Sequence, residues 1–79
     1  MSWITKEEAA HVLHYYDHRK GWHGGSFATA LINAFTQADS ENTARLAWGF
    51  PGYHEAMRLA RYERDGLDIL ESISDQEEA

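Results

Sequence analysis

The sequence predicts an all-α domain, a compact bundle of four short helices with a fifth short C-terminal segment as an option. Three observations predict it. Apolar residues recur at spacings of three and four along most of the 79 residues. Residues that start and stop helices punctuate the chain at short intervals: Thr5 with Glu8, Gly21, Asp39 and Ser40, Gly49 before Pro51, and Gly66. No stretch alternates apolar and polar residues as a half-buried strand does.

The first helix begins at a capping box. Thr5 is placed to accept from the Glu8 amide while the Glu8 side chain reaches back to Thr5. The helix should run to about Lys20, where Gly21 ends it. On a helical wheel Ala9, Val12, Leu13 and Tyr16 fall within about 100° and form the buried stripe. Trp3 or Ile4, just before the cap, can staple onto the first turn. The glycine-rich loop GWHGG follows, and Ser26 is read as the cap of a second helix, FATALINAFTQA. Its apolar arc spans about 200° of the wheel and leaves Thr29, Asn33, Thr36 and Gln37 as the polar side. So wide an arc makes the second helix the expected hub.

Asp39 or Ser40 starts the third helix, which carries Ala44, Leu46, Ala47 and Trp48 and is closed by Gly49. Pro51 suits the first position of the fourth, where a missing N–H costs nothing. That helix carries Tyr53, Ala56, Met57 and Ala60 on one face. It either pauses at Gly66 and resumes through LDILESI or runs through with a kink. The expected division is a single helical domain over 1–73 and an acidic flexible tail over 74–79.

Composition narrows the function classes. The net charge is −6, from 13 acids against 7 bases. That balance argues against binding nucleic acid through its phosphates, which takes a basic face. There are no cysteines, so neither a disulfide nor a thiolate zinc site is available, which fits a reducing compartment. Apolar runs fall far short of the roughly 18 residues of a membrane span. The first residues, MSWITKEEAA, lack the basic and apolar blocks of a signal peptide. The expectation is a cytoplasmic chain with no membrane partner.

The unusual feature is HVLHYYDHRKGWHGG, which holds four of the five histidines. On the wheel Glu7, His11, His14 and His18 lie within about 60°, nearly opposite the apolar stripe. The histidines are therefore expected to face solvent or a partner. A metal site would need two or three imidazoles converging at about 2.0–2.1 Å on one ion. One row on a convex helix diverges, so no metal ligand and no cofactor is assigned. Catalysis would need a nucleophile beside a base, and the only sequence candidate is Ser26 near His23, without a GxSxG elbow. No catalytic residue is assigned, and the chain is read as a non-enzyme. The remaining reading is an interface. Tyr15 lies beside the histidines, Trp22 and His23 follow in the loop, and Tyr62 stands on the outer side of the fourth helix with Glu55 and Arg58. The partner-binding set is thus His11, His14, Tyr15, His18, Trp22, His23 and Tyr62.

Two nucleic-acid or phosphate readings are weaker. GWHGGSF leads into a helix N-terminus but lacks a Walker lysine and a preceding strand. A helix-turn-helix over the second and third helices would present only Asn42 and Arg45 to a groove. Arg58, Arg61 and Arg64 alternate with Glu55, Glu63 and Asp65 and read as intrahelical pairs.

Residues 25–57 carry a phrase: Gly25 to Phe27, Ala30 to Ile32, Ala38 and Asp39, Asn42, Arg45 to Ala47, and Gly49 to Tyr53. This phrase resembles short proteins of unassigned activity encoded by phages and prophages of actinobacteria. The resemblance implies a small phage protein that binds a host protein and modulates it, or counters a host defence. The histidine-rich first helix lies outside it. The leading expectation is binding of a host protein through the outer face of the first helix. The alternatives are a homo-oligomeric structural module, with a homodimer as the simplest form, and a small-ligand or metal binder.

Overall fold

The computed structural model describes residues 3–76. Among these residues the chain forms five helices and no strand: α1 (Lys6–Tyr16), α2 (Gly25–Gln37), α3 (Ser40–Gly49), α4 (Pro51–Tyr62) and α5 (Gly66–Ser74). The fifth segment is therefore a helix of its own: the chain pauses over 63–65 and Gly66 begins α5. A side chain at Gly66 would overlap the Leu59 carbonyl of α4. The missing Cβ lets α5 fold back against the helix it follows.

The capping box forms as expected. The Thr5 amide donates to Glu8 Oε1 at 2.8 Å, and the Glu8 amide donates to Thr5 Oγ1 at 3.1 Å. Of the two staple candidates, Ile4 is buried and Trp3 is exposed. Asp39 caps α3 by accepting from the Asn42 amide at 2.8 Å. Pro51 opens α4.

α1 packs against α2, α4 and α5, and α4 packs against α2, α3 and α5. The hub is thus the α1–α4 pair and not α2. Val12 and Leu13 of α1, Ile32 of α2 and Leu70 of α5 are the largest fully buried side chains. Each contributes about 1.5–3 kcal/mol of apolar transfer. Only half of the α2 arc is covered. Ala28, Leu31, Ile32 and Phe35 are buried, whereas Phe27 is 68% exposed and Ala30 and Ala34 also face outward. α3 buries no residue, and its Trp48 is 90% exposed.

Four further expectations are corrected. α1 ends at Tyr16 and not near Lys20, because Asp17 adopts an extended backbone and its carboxylate takes the Arg19 amide and guanidinium. That local bond competes with helical continuation. Tyr16 is 39% exposed, and Ala10 takes its place in the buried stripe. Ala10 is covered by the returning chain at Gly21, which has φ of +64° and lies so close that a Cβ would overlap the Ala10 carbonyl. Ser26 does not cap α2, which begins two residues earlier than expected, at Gly25 with Gly24 at the cap position. The boundary drawn between 73 and 74 falls inside α5, where Ser74 is buried and donates to the Glu71 carbonyl. Glu77 and Glu78 of the expected tail lie outside the described residues.

Among the described residues no helix is long and apolar enough to cross a membrane.

Candidate functional site

A groove of about 570 Å³ lies between α1, the 17–24 turn and α2. His11, His14 and Tyr15 line it from α1, His18, His23 and Gly24 from the turn, and Ala28, Thr29 and Ile32 from α2. The histidines expected on a convex outer face therefore belong to the wall of a concavity. The reason is the early end of α1. His18 leaves the helical row, and the turn brings His23 back toward His14.

Each lining group is held by a defined contact. His14 Nδ1 lies 3.0 Å from the Lys20 carbonyl oxygen. A carbonyl only accepts, so Nδ1 carries the proton and Nε2 of the neutral ring is a bare lone pair. The His14 and His18 rings are stacked, with centroids 5.3 Å apart and planes 20° off parallel. His23 meets His14 edge-on at 6.1 Å. The Gly25 amide donates to His23 Nδ1 at 2.9 Å, which leaves the proton on Nε2, 3.4 Å from Thr29 Oγ1. Thr29 Oγ1 in turn donates to the Gly25 carbonyl at 2.9 Å. These bonds tie the imidazole to the first turn of α2, in the place where a serine cap was expected.

Tyr15 is half-buried and not displayed. Its hydroxyl donates to Asn33 Oδ1 of α2 at 2.6 Å and ties the two walls together. His11 Nδ1 pairs with the Tyr53 hydroxyl of α4 at 2.7 Å. Burial lowers the His11 pKa against the opposing pull of Glu7 and Glu8, and the His23 charge lowers it further. Burial likewise raises that of Tyr53, with Glu8 and Glu7 adding to it. Burial thus favours the neutral form of the His11 ring.

Trp22 is 41% exposed beside this turn but does not line the groove. Tyr62 is 74% exposed, as expected of it, yet it lies elsewhere. It borders a second cavity of about 400 Å³ with Phe35, His54, Met57 and Arg61. There the Arg61 guanidinium sits over the Tyr62 ring, 5.4 Å from its centroid. α4 ends before Arg64 and carries two arginines, of which Arg58 pairs with Glu55 at 2.6 Å and with Glu63, at the helix cap, at 2.9 Å. Arg61 instead reaches the Phe35 carbonyl at 3.4 Å.

Sequence reasoning missed Thr29, Gly24 and Tyr53 as parts of the site. Thr29 carried a readable signal, since it stands on the polar side of α2 six residues after His23. The Tyr53 contact spans 42 positions and has no local signature.

The chemistry available is hydrogen bonding and charge exchange at imidazole nitrogens. Among the described residues no group of three His, Cys, Asp or Glu side chains is placed to hold a metal ion. Comparison with protein-family models, with curated proteins and with solved structures finds no match for this chain.

Proposed function

We propose that this chain is a non-enzymatic binding module that takes a segment of a partner protein into the α1–α2 groove. The carrying observation is that four of the five histidines, together with Tyr15, line one open concavity of about 570 Å³. Its walls are fixed by the Tyr15–Asn33 and His23–Gly25 hydrogen bonds, so a ligand meets preformed donors and acceptors and loses less to ordering them. Trp22, exposed and next in the chain to His23 of the lining, is an amphipathic side chain of the kind that carries interface energy. The partner proposed is a host protein in the host cytoplasm. That choice rests on the resemblance of residues 25–57 to phage proteins, not on the geometry.

The test is affinity capture from host lysate with the intact chain and with the triple variant His14→Ala, Tyr15→Ala, His18→Ala, each checked for helicity. A partner retained by the first and lost by a folded triple variant supports the reading. Equal capture by both removes the groove from consideration.

A second reading, self-association, is favoured by a different surface. A shallow groove of about 390 Å³ between α2 and α3 is lined by Ala34, Gln37, Ala38, Asn42, Arg45 and Leu46. Trp48, 90% exposed, stands three residues on from Arg45, about 60° round the same helix. A protruding ring beside a groove is a self-complementary arrangement for two copies related by a two-fold axis. Light scattering at micromolar concentration should give a dimer mass for the native chain and a monomer mass for Trp48→Ser. A native monomer at that concentration excludes it.

A further inference from the structure

The α1–α2 groove has a chemical bias that the rest of the molecule lacks. The chain carries 13 acidic residues, yet neither Asp nor Glu lines this cavity, whose titratable lining is four imidazoles and one phenol. Asp17, Lys20 and Glu8, which flank it, are already engaged. Asp17, in the turn, is held by Arg19 at 3.1 Å. Lys20 is paired with Glu71 of α5 at 3.2 Å. On α1, Glu8 is held by the capping box and Glu7 stands exposed toward His11. α4 contributes the Tyr53 hydroxyl to His11, and α2 contributes no titratable side chain to the lining.

The four imidazoles differ in what a proton would do. His23 Nδ1 is occupied by the Gly25 amide, so protonation there breaks a bond. His11 is desolvated and bonded to Tyr53. His14 gains a donor at Nε2 without losing its bond to the Lys20 carbonyl. His18 is exposed, with neither ring nitrogen hydrogen-bonded among the described residues. His14 and His18 are also the stacked pair, 5.3 Å apart. Two imidazolium rings at that distance repel each other, and an anion beside both relieves the repulsion.

We infer that the groove selects a carboxylate side chain of the partner segment, held between His14 and His18, and that it does so most strongly in mild acid. This rests on the groove being the partner site proposed above. Imidazoles gain their charge between about pH 8 and pH 5. Carboxylates remain ionised over that range, with pKa values near about 4. Charge complementarity therefore rises as the pH falls from about 8 to about 6.

The test uses the full-length chain and NMR of its imidazole resonances. The probe is a blocked seven-residue Ala–Ser peptide with one central Glu, compared with the same peptide carrying Gln. The expected result is a shift of the His14 and His18 signals by the Glu peptide at pH 6. Affinity should be about tenfold weaker at pH 8, as the charged fraction of an imidazole falls. The Gln peptide should produce no comparable shift, and in a folded His14→Gln, His18→Gln variant the Glu peptide should leave the remaining His11 and His23 signals unmoved.

Several outcomes overturn the inference. Equal binding of the Gln peptide means that the groove takes a neutral segment. Shifts with inorganic phosphate and none with the Glu peptide mean that it takes a phosphate. Shifts produced merely by ending the chain after Gln76 mean that its own acidic end is the occupant. No shift at pH 6 removes the carboxylate altogether. The failure is separable from that of the partner reading. A partner captured through the groove with equal strength at pH 6 and pH 8 keeps the latter and discards this one.

Discussion

α1 and α3 are helices of nearly equal length, 11 and 10 residues, and both begin at a side-chain cap. They do opposite work. α1 buries Ala9, Ala10, Val12 and Leu13 and touches three other helices. α3 buries nothing and leans on α4. The difference teaches that helix formation and core formation are separate achievements in this chain. Local signals suffice to write either helix. Only α1 joins them to an apolar stripe that three neighbours can close over, and tertiary burial, not propensity, supplies most helical stability.

The largest expected break in this comparison is Leu13→Ala against Leu46→Ala. Leu13 is fully buried, and its loss should cost about 2–5 kcal/mol, close to the whole margin of a domain this small. Leu46 is half-buried on α3, and its truncation should cost less than about half as much. Urea denaturation followed by circular dichroism measures both. Similar losses would show that α3 is as integral as α1.

A smaller effect separates the caps. Thr5→Ala should lower global stability by about 1 kcal/mol, because fraying α1 opens the core. Asp39→Ala removes an equivalent bond, yet its loss should appear as faster amide exchange over 40–49 with a global change under about 0.5 kcal/mol. A matched global loss in both variants would contradict the division.

The smallest effect sharpens the comparison by pH. Burial holds the folded His11 ring below its ordinary value of 6.5, so the unfolded chain binds the proton more tightly. Above about pH 6.5 both states are neutral there and this contribution to stability is fully present. It is lost as the pH falls from 6.5 through the lower folded value. Urea midpoints should therefore decline between pH 7 and pH 5, and less steeply in His11→Asn. Identical slopes would exclude His11 as a source.

Much of the helical layout was legible because it is written in local chemistry. Thr5 with Glu8, Asp39, Pro51 and Gly66 act within a few residues of themselves, and each marks a helix end in the structure. Of the seven candidate residues five are neighbours around one groove, whereas Trp22 and Tyr62 do not line it, and its shape was not legible. His11, His14, Tyr15, His18 and His23 do come together. Their concavity depends on Asp17 capturing Arg19 and ending α1 a turn early, so that the row is broken instead of extended. A wheel drawn through Lys20 cannot show that, since it presumes the helix persists. The uncovered flank of α2 was illegible for a different reason. Its wide apolar arc suggested neighbours on two sides, and the number of neighbours is a property of the assembled chain.

At Gly21 and Gly66 the missing Cβ faces the backbone of another stretch, the Ala10 carbonyl in the first case and that of Leu59 in the second. A chain of this architecture can exchange most surface residues, yet at these two joints every amino acid other than glycine must push its neighbour away. Distant kin are therefore best sought by that pair of obligatory hinges, set against the helix lengths between them, and not by overall likeness of letters.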